Sequence, residues 1–241
     1  MARNLLVIGA TGKTGGRTTE LLLQRGHHVR ALVRGLDDRA RRLAGLGADT
    51  VVGDVLDLDS LARATQGIDA WVGERVLDRF PVPVTHLRPT FFTNWLIDTW
   101  ADGTGELRLP FADGRHAPIA ESDQAKVIAA VLEDPAPHAG QIYPLYGAEE
   151  LDHYEIAERM SRALGRDVTY VPIELDEFAA ILRRRGAPDH LIQHLLAVAV
   201  DYRNGIFAGT NDLVKRIGGS DPLGVEEFVR QNRAAFAPRT P

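Results

Sequence analysis

The chain has 241 residues, of which 44% are hydrophobic and 25% are charged, and its formal net charge is −5 at pH 7. This composition is typical of a globular protein that buries a sizeable core, as one domain or as one domain with a small lobe. The mildly acidic balance gives no support to nucleic-acid binding, and the lack of cysteine excludes disulfides, thiolate catalysis and cysteine-ligated metals.

Residues 1–16 combine a strand-like run with a glycine-rich turn. Residues 5–8 are apolar and partly β-branched, which predicts a short strand buried on both faces. Gly9, Gly12 and Gly15 follow, and a helical pattern begins at once. Gly9 permits a tight turn, Gly12 lets the backbone approach a phosphate, and Gly15 lets the helix pack closely on the strand. Because the N–H groups and positive dipole end of the helix would face a pyrophosphate, the passage predicts dinucleotide binding rather than an ordinary turn.

The residue after the predicted second strand indicates which dinucleotide is bound. Arg34 stands where NAD-preferring sites carry an acidic residue for the ribose hydroxyls, whereas an arginine suits a 2′-phosphate. Asp37 and Asp38 lie further into the loop. We therefore predict NADP(H) in preference to NAD(H), with Lys13 and, as a weaker candidate, Arg39 adding to the phosphate site. The alternative for Arg34 is a solvated charge at the end of a strand.

The elements of the first half alternate between strands and helices. Strands are predicted at 28–33, 49–53, 68–72 and 84–87, and helices at 18–25, 39–46, 57–64, 73–80 and 91–100. The 39–46 helix is interpreted as solvated surface, and Asp57 or Asp59 as the cap of the next helix. Asp54 and Val55 follow the third strand and are included among the cofactor-binding candidates. Asp54 could equally cap the helix or fix the turn.

From residue 103 onward the pattern is mixed. Strands are predicted at 107–111, 141–146 and 168–173, and helices at 122–132, 152–164, 175–184, 188–201 and 225–236. Ser122 is expected to cap the first of these helices. The order predicts a single α/β unit, in which residues 1–102 are mainly the dinucleotide-binding core and residues 103–241 are mainly returning strands and a C-terminal substrate lobe.

Four passages resemble the NmrA-like family of atypical short-chain dehydrogenases/reductases. They are GATGKTGG, VTHLRPTFFTNWL, IAESDQAKVIAAVLEDP with the passage from 140 to 173, and GTNDLVKRIGGSDPLGVEEFVRQNRAAF. The resemblance covers most of the chain and implies a Rossmann-type doubly wound parallel sheet with a small C-terminal α+β lobe over the cofactor. It implies a pyrophosphate loop of Gly9, Thr11, Gly12, Lys13, Thr14 and Gly15, a 2′-phosphate ligand in Arg34, and a nicotinamide-end and substrate pocket lined by Phe91, Phe92 and Asn94.

The passage after Trp71 departs from the family pattern. Several tens of residues, which would complete the fourth strand and add a crossover helix, a fifth strand and a loop, are missing before Gly73. That portion would hold the serine-bearing strand end and, in many relatives, part of the nicotinamide pocket. One explanation is that the chain is naturally shortened, with 84–87 pairing beside 68–72. The other is that the sequence omits a segment that exists in the molecule.

The sequence contains no Tyr-x-x-x-Lys motif. This absence argues against alcohol–ketone chemistry more than against quinone or azo reduction, because a hydroquinone anion is delocalised. Candidates for a catalytic donor are Asn94, His116 and Tyr146. Each has a structural alternative: Asn94 as the cap or cross-link of a turn, His116 as a residue of a polar loop, and Tyr146 as the end of a strand.

Two further patterns favour structural roles. Phe91, Phe92, Trp95 and Trp100 lie at mixed helical spacing, which favours core packing, although a phenylalanine facing the nicotinamide would suit a flat substrate. His190 and His194 can share a helix face but lack a third ligand, so no metal site is predicted.

The sequence leaves two functions open. The first is an NADPH-dependent oxidoreductase that reduces a quinone-like or other conjugated or aromatic small molecule by hydride transfer. The alternative is an NADP(H)-binding redox sensor without turnover. The expected partner is a small molecule, with neither nucleic acid nor membrane, and a homodimer is left open. Since no run reaches membrane-spanning length and no signal-peptide core precedes the first strand, we expect a cytoplasmic protein.

Overall fold

A computed structural model of the chain describes residues 2–54, 57–72, 84–100 and 105–237. The chain divides into two compact units. The first comprises Met1–Arg88, Glu121–Leu145 and Leu213–Ser220, and the second comprises Pro89–Ala120, Tyr146–Asp212 and Asp221–Pro241. The chain therefore passes between the units several times.

The described part of the chain alternates strands with helices in its first half and is mainly helical towards its end. The strands are β1 (Asn4–Ile8), β2 (His28–Val33), β3 (Asp49–Val52), β4 (Ala70–Val72), β5 (His86–Pro89), β6 (Glu106–Leu109), β7 (Ile142–Leu145) and β8 (Thr169–Pro172). The helices are α1 (Lys13–Gln24), α2 (Asp38–Gly45), α3 (Leu58–Ala64), α4 (Trp95–Thr99), α5 (Glu121–Glu133), α6 (His153–Leu164), α7 (Leu175–Arg184), α8 (Asp189–Arg203), α9 (Leu213–Gly218) and α10 (Val225–Gln231).

The first unit is built on a four-stranded parallel sheet with the order β3-β2-β1-β4. Strand β1 lies in its interior, and Leu6 pairs with Arg30 of β2 on one side and with Trp71 of β4 on the other. Parallel neighbours require crossover connections, which α1 and α2 supply between the first three strands. This arrangement confirms the predicted Rossmann-type α/β fold.

Strand β1 is buried on both faces, as its apolar run predicts. Leu5 and Val7 belong to a cluster that includes Leu22 of α1 and Ile128 of α5. Leu6, which points to the opposite face, belongs to a second cluster with residues of β2 and α3. A strand enclosed in this way has no solvent face, so a continuous apolar run replaces the alternating pattern.

Strand β5 does not continue the sheet of β1 in the part of the chain that the structure describes. It pairs instead with β7 in a two-stranded sheet, and the His86 N–H donates to the Gln141 carbonyl oxygen at 2.9 Å. The direct pairing of 84–87 with 68–72 is therefore wrong for the described residues, because β5 hydrogen-bonds to β7 while β4 belongs to the sheet of β1. The helix predicted at 73–80 lies outside the described residues, and α9 was not predicted.

The second unit contains the two-stranded parallel sheet of β6 and β8 and the helices α4, α6, α7, α8 and α10. Helix α6 shows why these residues fold as they do. Asp152 and Glu155 form a reciprocal capping box at its start, and Gly165 ends it with a φ of 70°. Between these signals Ile156 and Met160 are fully buried, so the predicted amphipathic face is confirmed.

Three predicted helix boundaries are wrong. The helix predicted at 91–100 begins only at Trp95, because Phe91 and Thr93 exchange backbone hydrogen bonds with Ile119. Ser122 does not precede a helix but lies within α5, which begins at Glu121. The helix predicted at 225–236 is divided into α10 and a short 3-10 helix at Arg233–Phe236.

None of the helices in the described ranges is long and apolar enough to cross a membrane.

Candidate dinucleotide and substrate sites

The glycine turn of the first unit joins β1 to α1 with very close backbone contacts. Gly9 has a φ of 70°, which is the left-handed region that glycine adopts at low cost. The Gly12 N–H donates to the Gly9 carbonyl oxygen at 2.9 Å. Gly12 is also the N-cap of α1, and as a glycine it places no side chain at the start of the helix. A Cβ on Gly15 would lie 2.3 Å from the Gly9 carbonyl oxygen. The turn at Gly9 and the close packing at Gly15 therefore agree with their predicted conformational roles.

An open cavity of ≈ 320 Å³ lies at the start of α1. It is lined by Ala10, Thr11, Gly12, Lys13, Gly16, Arg17, Glu20, Arg39, Arg42 and Leu43. Of the predicted pyrophosphate loop, Thr11, Gly12 and Lys13 thus contribute directly. Gly9 and Gly15 shape the turn that carries them, and Thr14 is half-buried in the first turn of α1.

The lining of this cavity is predominantly basic. Glu20 pairs with Arg42 at 2.7 Å and with Arg17 at 3.5 Å, which leaves an excess of positive charge over the whole lining. Arg39 approaches the glycine turn, because its guanidinium lies 3.5 Å from the Thr11 carbonyl oxygen. Together with the N–H groups at the start of α1, these cations suit an anionic ligand with more than one phosphate.

The two aspartates after β2 are occupied by local contacts. The Asp37 carboxylate accepts the Ala40 N–H at 3.0 Å as the N-cap of α2, and it pairs with Arg39 at 2.6 Å. The backbone hydrogen bond from Ala40 and then the bond from Arg39 lower the pKa of Asp37. Asp38 pairs with Arg41 at 2.6 Å. Both carboxylates therefore have partners within the protein.

Arg34 stands directly after β2 and is exposed. Among the residues that the structure describes, its guanidinium forms no hydrogen bond or ion pair, and it does not line the cavity at the start of α1. A cation without a partner at this position is available to a ligand. Its role as the 2′-phosphate ligand stays a prediction.

The residues after β3 include the predicted cap of α3, whereas the cofactor role of Asp54 stays a prediction. The Asp57 carboxylate accepts the N–H groups of Asp59 and Ser60 at 3.0 and 3.3 Å, so Asp57 is the cap of α3. Asp54 is exposed, and its carbonyl oxygen accepts the Asp57 N–H at 3.1 Å. Val55 lies outside the described residues.

In the second unit, Phe91 is at the centre of an aromatic cluster. Its ring meets five others edge-on, those of Trp95, Phe111, His116, Tyr202 and Phe207, with centroid distances between 5.3 and 6.4 Å. Phe91 and Trp95 pack against the core of this unit, which agrees with the packing role that their spacing favours. Phe91 as a residue is only partly buried.

The other predicted pocket residues lie close to Phe91 in the chain. Phe92 forms a parallel β-bridge with Ile119 and is half-buried. Asn94 occupies the N-cap position of α4, but its side chain makes no capping hydrogen bond. Within the described ranges the Asn94 amide has no partner, so its alternative role as a cap is not realised.

His116 is buried, and the prediction that it lies in a polar loop is wrong. Only 4% of its surface is exposed, because its backbone pairs with Leu151 in an antiparallel bridge that draws the segment into the core. Its Nδ1 atom is hydrogen-bonded to the Tyr202 hydroxyl, which also lies 3.4 Å from Nδ1 of His153. His153 and Tyr202 are buried as well.

Burial keeps these three groups uncharged at neutral pH. It lowers the pKa of His116 well below its usual value, and the neighbouring His153 lowers it further. Burial alone lowers the pKa of His153 to about 3. The same cause raises the pKa of Tyr202. The cluster therefore consists of two neutral imidazoles and one protonated phenol.

Tyr146 follows β7 directly and is half-buried, with its ring 3.6 Å from the position of a Cβ on Gly209. In the described part of the chain no hydrogen bond involves its hydroxyl. This position agrees with the alternative that Tyr146 ends a strand. Among the described residues, no side chain is hydrogen-bonded to its hydroxyl as a catalytic partner would be.

Sequence reasoning missed several residues of both sites. Arg17 and Arg42 line the cavity although neither belongs to a motif. Arg17 lies one helical turn after Lys13, and Arg42 lies one helical turn after Arg39, and this spacing was the available signal. His153 and Tyr202 were missed because they approach His116 only through the tertiary structure. The 39–46 helix is predicted to be solvated surface, and the side chains of Arg39 and Arg42 are indeed exposed. The same two side chains also line the cavity.

The parallel sheet, the glycine turn and the basic cavity define a dinucleotide-binding α/β protein of the Rossmann type. The sequence profile of an NAD(P)H-binding family matches residues 9–74, and that of the NmrA-like family matches residues 74–212. The chain belongs to the NmrA-like family, as its motifs suggested. The two matches meet beside the break after Trp71.

Known proteins are similar to this chain over nearly its whole length. The NAD(P)H azoreductase of Xenophilus azovorans is 27% identical over 289 residues, which cover 96% of this chain and 99% of that protein. The NADPH-dependent quinone oxidoreductase of Escherichia coli in complex with NADPH superposes with a TM-score of 0.80 at 20% identity, covering 95% and 99% of the two chains. NmrA, a negative transcriptional regulator solved with NAD, gives a TM-score of 0.75 at 17% identity and 95% coverage of both chains. At these identities the two structures establish the shared fold.

The alignment with the azoreductase is longer than this chain. It extends over 289 residues, whereas this chain has 241. The azoreductase therefore contains positions that have no counterpart in the sequence of this chain.

Proposed function

We propose that this protein is an NADPH-dependent oxidoreductase that reduces a quinone-like or other conjugated aromatic small molecule by hydride transfer. The observation that carries the proposal is the cradle at the start of α1, where a glycine turn without side chains meets a cavity with a basic lining. The azoreductase and quinone oxidoreductase relatives support the reductase class and the aromatic substrate.

The residues present fit a nicotinamide dinucleotide. A Cβ at Gly15 would fill the space that the turn needs, and the N–H groups of the first turn of α1 are those that hold a pyrophosphate in this fold. Thr11, Gly12 and Lys13 would contact the pyrophosphate, and Arg34 with Arg39 would contact a 2′-phosphate. When bound, the cofactor supplies the hydride and its electron pair.

The preference for NADPH over NADH rests on the loop after β2. A carboxylate that binds the ribose hydroxyls of NADH must be free to accept hydrogen bonds. Asp37 is instead occupied by Ala40 and Arg39, while Arg34 has no partner in the described ranges. The loop after β2 therefore offers the ribose the guanidinium of Arg34 and not a carboxylate that is free to accept hydrogen bonds.

The substrate class follows from the acid–base groups that the chain lacks. Without Tyr-x-x-x-Lys, the reaction needs a substrate whose anion is stabilised by its own conjugation. Phe91, which is only partly buried, would offer an aromatic side chain to a flat molecule, and the side-chain amide of Asn94, which has no partner in the described ranges, would offer a hydrogen-bond donor. Both features suit a quinone or azo compound better than an aliphatic ketone.

The test is NADPH oxidation at 340 nm with a panel of quinones and azo dyes. We expect turnover with at least one conjugated acceptor and none with aliphatic ketones. Tight NADPH binding without any turnover across the panel would contradict the reductase and favour the alternative, an NADP(H)-binding redox sensor. The departure from the family pattern after Trp71 and the structural likeness to NmrA give that alternative its support.

Replacing Arg34 with aspartate should weaken NADPH binding roughly 10- to 100-fold, because a charge-assisted hydrogen bond to phosphate contributes about 1.5–3 kcal/mol. NADH binding should change far less, since NADH has no 2′-phosphate. Fluorescence titration of both nucleotides measures the difference. Arg183→Asp, an exposed substitution in α7, is the matched control. Equal weakening of NADPH and NADH by Arg34→Asp would show that the 2′-phosphate assignment is wrong.

A further inference from the structure

The cavity at the start of α1 contains a carboxylate among its cations. Its charged lining residues all belong to the first unit, and Glu20 is the acidic one among Lys13, Arg17, Arg39 and Arg42. A negative charge in the lining opposes the binding of a phosphate through Coulomb repulsion. Its presence in a cavity that suits anions therefore calls for a physical reason, which the contacts of Glu20 supply.

Glu20 bridges two arginines that come from different helices. Its Oε1 atom lies 2.7 Å from Nη2 of Arg42 in α2, and its Oε2 atom lies 3.5 Å from Nη1 of Arg17 in α1. The Glu20 side chain is 15% exposed, whereas those of Arg17 and Arg42 are 66% and 64% exposed. The carboxylate is thus the anchored member of the group, and both guanidinium groups are accessible to a ligand.

Arg42 keeps hydrogen-bond donors that Glu20 does not use. A guanidinium carries N–H groups on Nε and on both Nη atoms, and the contact with Glu20 engages Nη2. Among the described residues no acceptor contacts Nε or Nη1 of Arg42. The oxygens of a phosphate could accept from these groups while the contact with Glu20 is kept. The carboxylate therefore does not have to be displaced when a phosphate binds.

The position of Arg42 in the chain places it on the ribose side of a bound dinucleotide. In this fold the segment after the second strand approaches the adenosine ribose. Helix α2 (Asp38–Gly45) belongs to that segment, and Arg39 and Arg42 lie one turn apart on it and line the same cavity. Arg39 also reaches to 3.5 Å from the carbonyl oxygen of Thr11 in the glycine turn. Arg42 is therefore close to the place where a ribose phosphate would lie.

The charge of the lining matches NADPH better than NADH. Four cations and one carboxylate leave the lining with three positive charges in excess. The pyrophosphate common to both dinucleotides carries about two negative charges, and a 2′-phosphate adds about 1.5 to 2 more at pH 7. With NADH a positive charge of the lining would lack a counter-charge, which the 2′-phosphate of NADPH supplies.

We propose that Arg42 is a specificity-determining residue that binds the 2′-phosphate of NADPH, and that Glu20 is the positioning residue that holds the Arg42 guanidinium at the cavity. An arginine side chain has many rotamers, and immobilising it costs entropy when a ligand binds. Because Glu20 already restricts Arg42 in the free protein, less entropy is lost on binding. This inference rests on the dinucleotide site of the proposed function and adds a residue that no sequence motif indicates.

Replacing Arg42 with glutamine should weaken NADPH binding roughly tenfold, as expected for the loss of one charge-assisted hydrogen bond at an exposed position. NADH binding should change less than about twofold, because NADH has no 2′-phosphate. Fluorescence titration measures both dissociation constants. Calorimetry with adenosine 2′,5′-bisphosphate, which has no nicotinamide, should show the same tenfold loss as NADPH. The matched control is Arg63→Gln, which removes an exposed arginine of α3 that does not line the cavity.

A double-mutant cycle tests the positioning role of Glu20. In a Glu20→Leu background, which removes the carboxylate, Arg42→Gln should weaken NADPH binding by only about twofold, because Arg42 is no longer held at the cavity. If Glu20 acted through its charge alone, the loss would stay near tenfold in both backgrounds, and that result would overturn the positioning role. A merely structural contact between α1 and α2 would lower the thermal unfolding midpoint without producing this coupling.

The outcomes separate this inference from the proposed function. A wild-type protein that binds neither dinucleotide contradicts both. A wild-type protein that binds NADPH without reducing any acceptor contradicts only the reductase, and the Arg42 experiments then proceed unchanged. Equal losses of NADPH and NADH affinity in Arg42→Gln would assign Arg42 to the pyrophosphate and overturn the inference, as would unchanged NADPH affinity.

Discussion

A Gly15→Ala variant should bind NADPH roughly 100-fold more weakly, which corresponds to about 2.7 kcal/mol. The added Cβ would lie 2.3 Å from the carbonyl oxygen of Gly9 and 2.8 Å from its carbonyl carbon. These are backbone atoms, which cannot rotate away as a side chain could. The start of α1 must therefore move away from β1, and its N–H groups move away from the position of the pyrophosphate.

The same displacement should also lower stability. Overpacking a close contact costs about 1–3 kcal/mol, so we expect the thermal unfolding midpoint to fall by several degrees. Gly12→Ala should have a smaller effect, because its Cβ would lie 3.2 Å from the Gly9 carbonyl oxygen. Only a small adjustment of the turn relieves that contact.

Fluorescence titration with NADPH and thermal unfolding of the same preparations test this prediction. The matched control is Gly45→Ala at the end of α2, where a Cβ would meet no atom within 4 Å. The control should keep the wild-type NADPH affinity. A folded Gly15→Ala protein that binds NADPH as the wild type does would show that the turn is not the pyrophosphate site.

Acidification from pH 7 to pH 5 should lower the free energy of unfolding by about 2 kcal/mol through His153, and His116 should lower it further. Both imidazoles are held neutral by burial, with the pKa of His153 lowered to about 3 and that of His116 lowered well below its usual value. In the unfolded chain each would titrate near pH 6.5. At pH 5 the unfolded chain therefore binds about one more proton at His153 than the folded protein, and it also binds more protons at His116.

The sign follows from this difference in proton binding. A group whose folded pKa is depressed contributes its full stability above the unfolded pKa and loses it as the pH falls towards the folded pKa. For His153 the loss begins near pH 6.5 and continues towards pH 3. His153 contributes about 2 kcal/mol of the change between pH 7 and pH 5, and His116 adds to the change in the same direction.

Urea unfolding at pH 7 and pH 5, followed by tryptophan fluorescence, measures the change. Trp95 and Trp100 report on the second unit, which contains the cluster. A His153→Gln variant should show a smaller change than the wild type, because only His116 remains to titrate. Equal free energies of unfolding at the two pH values would contradict the prediction, as would a His153→Gln variant that keeps the full change.

Much of the first unit could be predicted because its signals are local. The strand of residues 28–33 was placed without error, since a short, mostly apolar segment that includes Val29 and Val33 stands between the end of a helix and a loop. The glycine spacing after β1 identified the turn, because a φ of 70° at Gly9 favours glycine and the contact at Gly15 leaves no room for a Cβ. The element boundaries that failed, such as the start of α4, depend on backbone pairing with Ile119 far along the chain.

The amino-acid sequence by itself determined the fold class, the family and the glycine turn. Each of these depends on short-range spacing, which the backbone conformation of a few consecutive residues converts directly into structure. The tertiary structure alone decided that β5 pairs with β7, that Arg17 and Arg42 join the cavity, and that His116 meets Tyr202 and His153. Contacts between residues 86 and 49 positions apart in the chain leave no local trace, because they arise only when separate elements bury their apolar faces against one another.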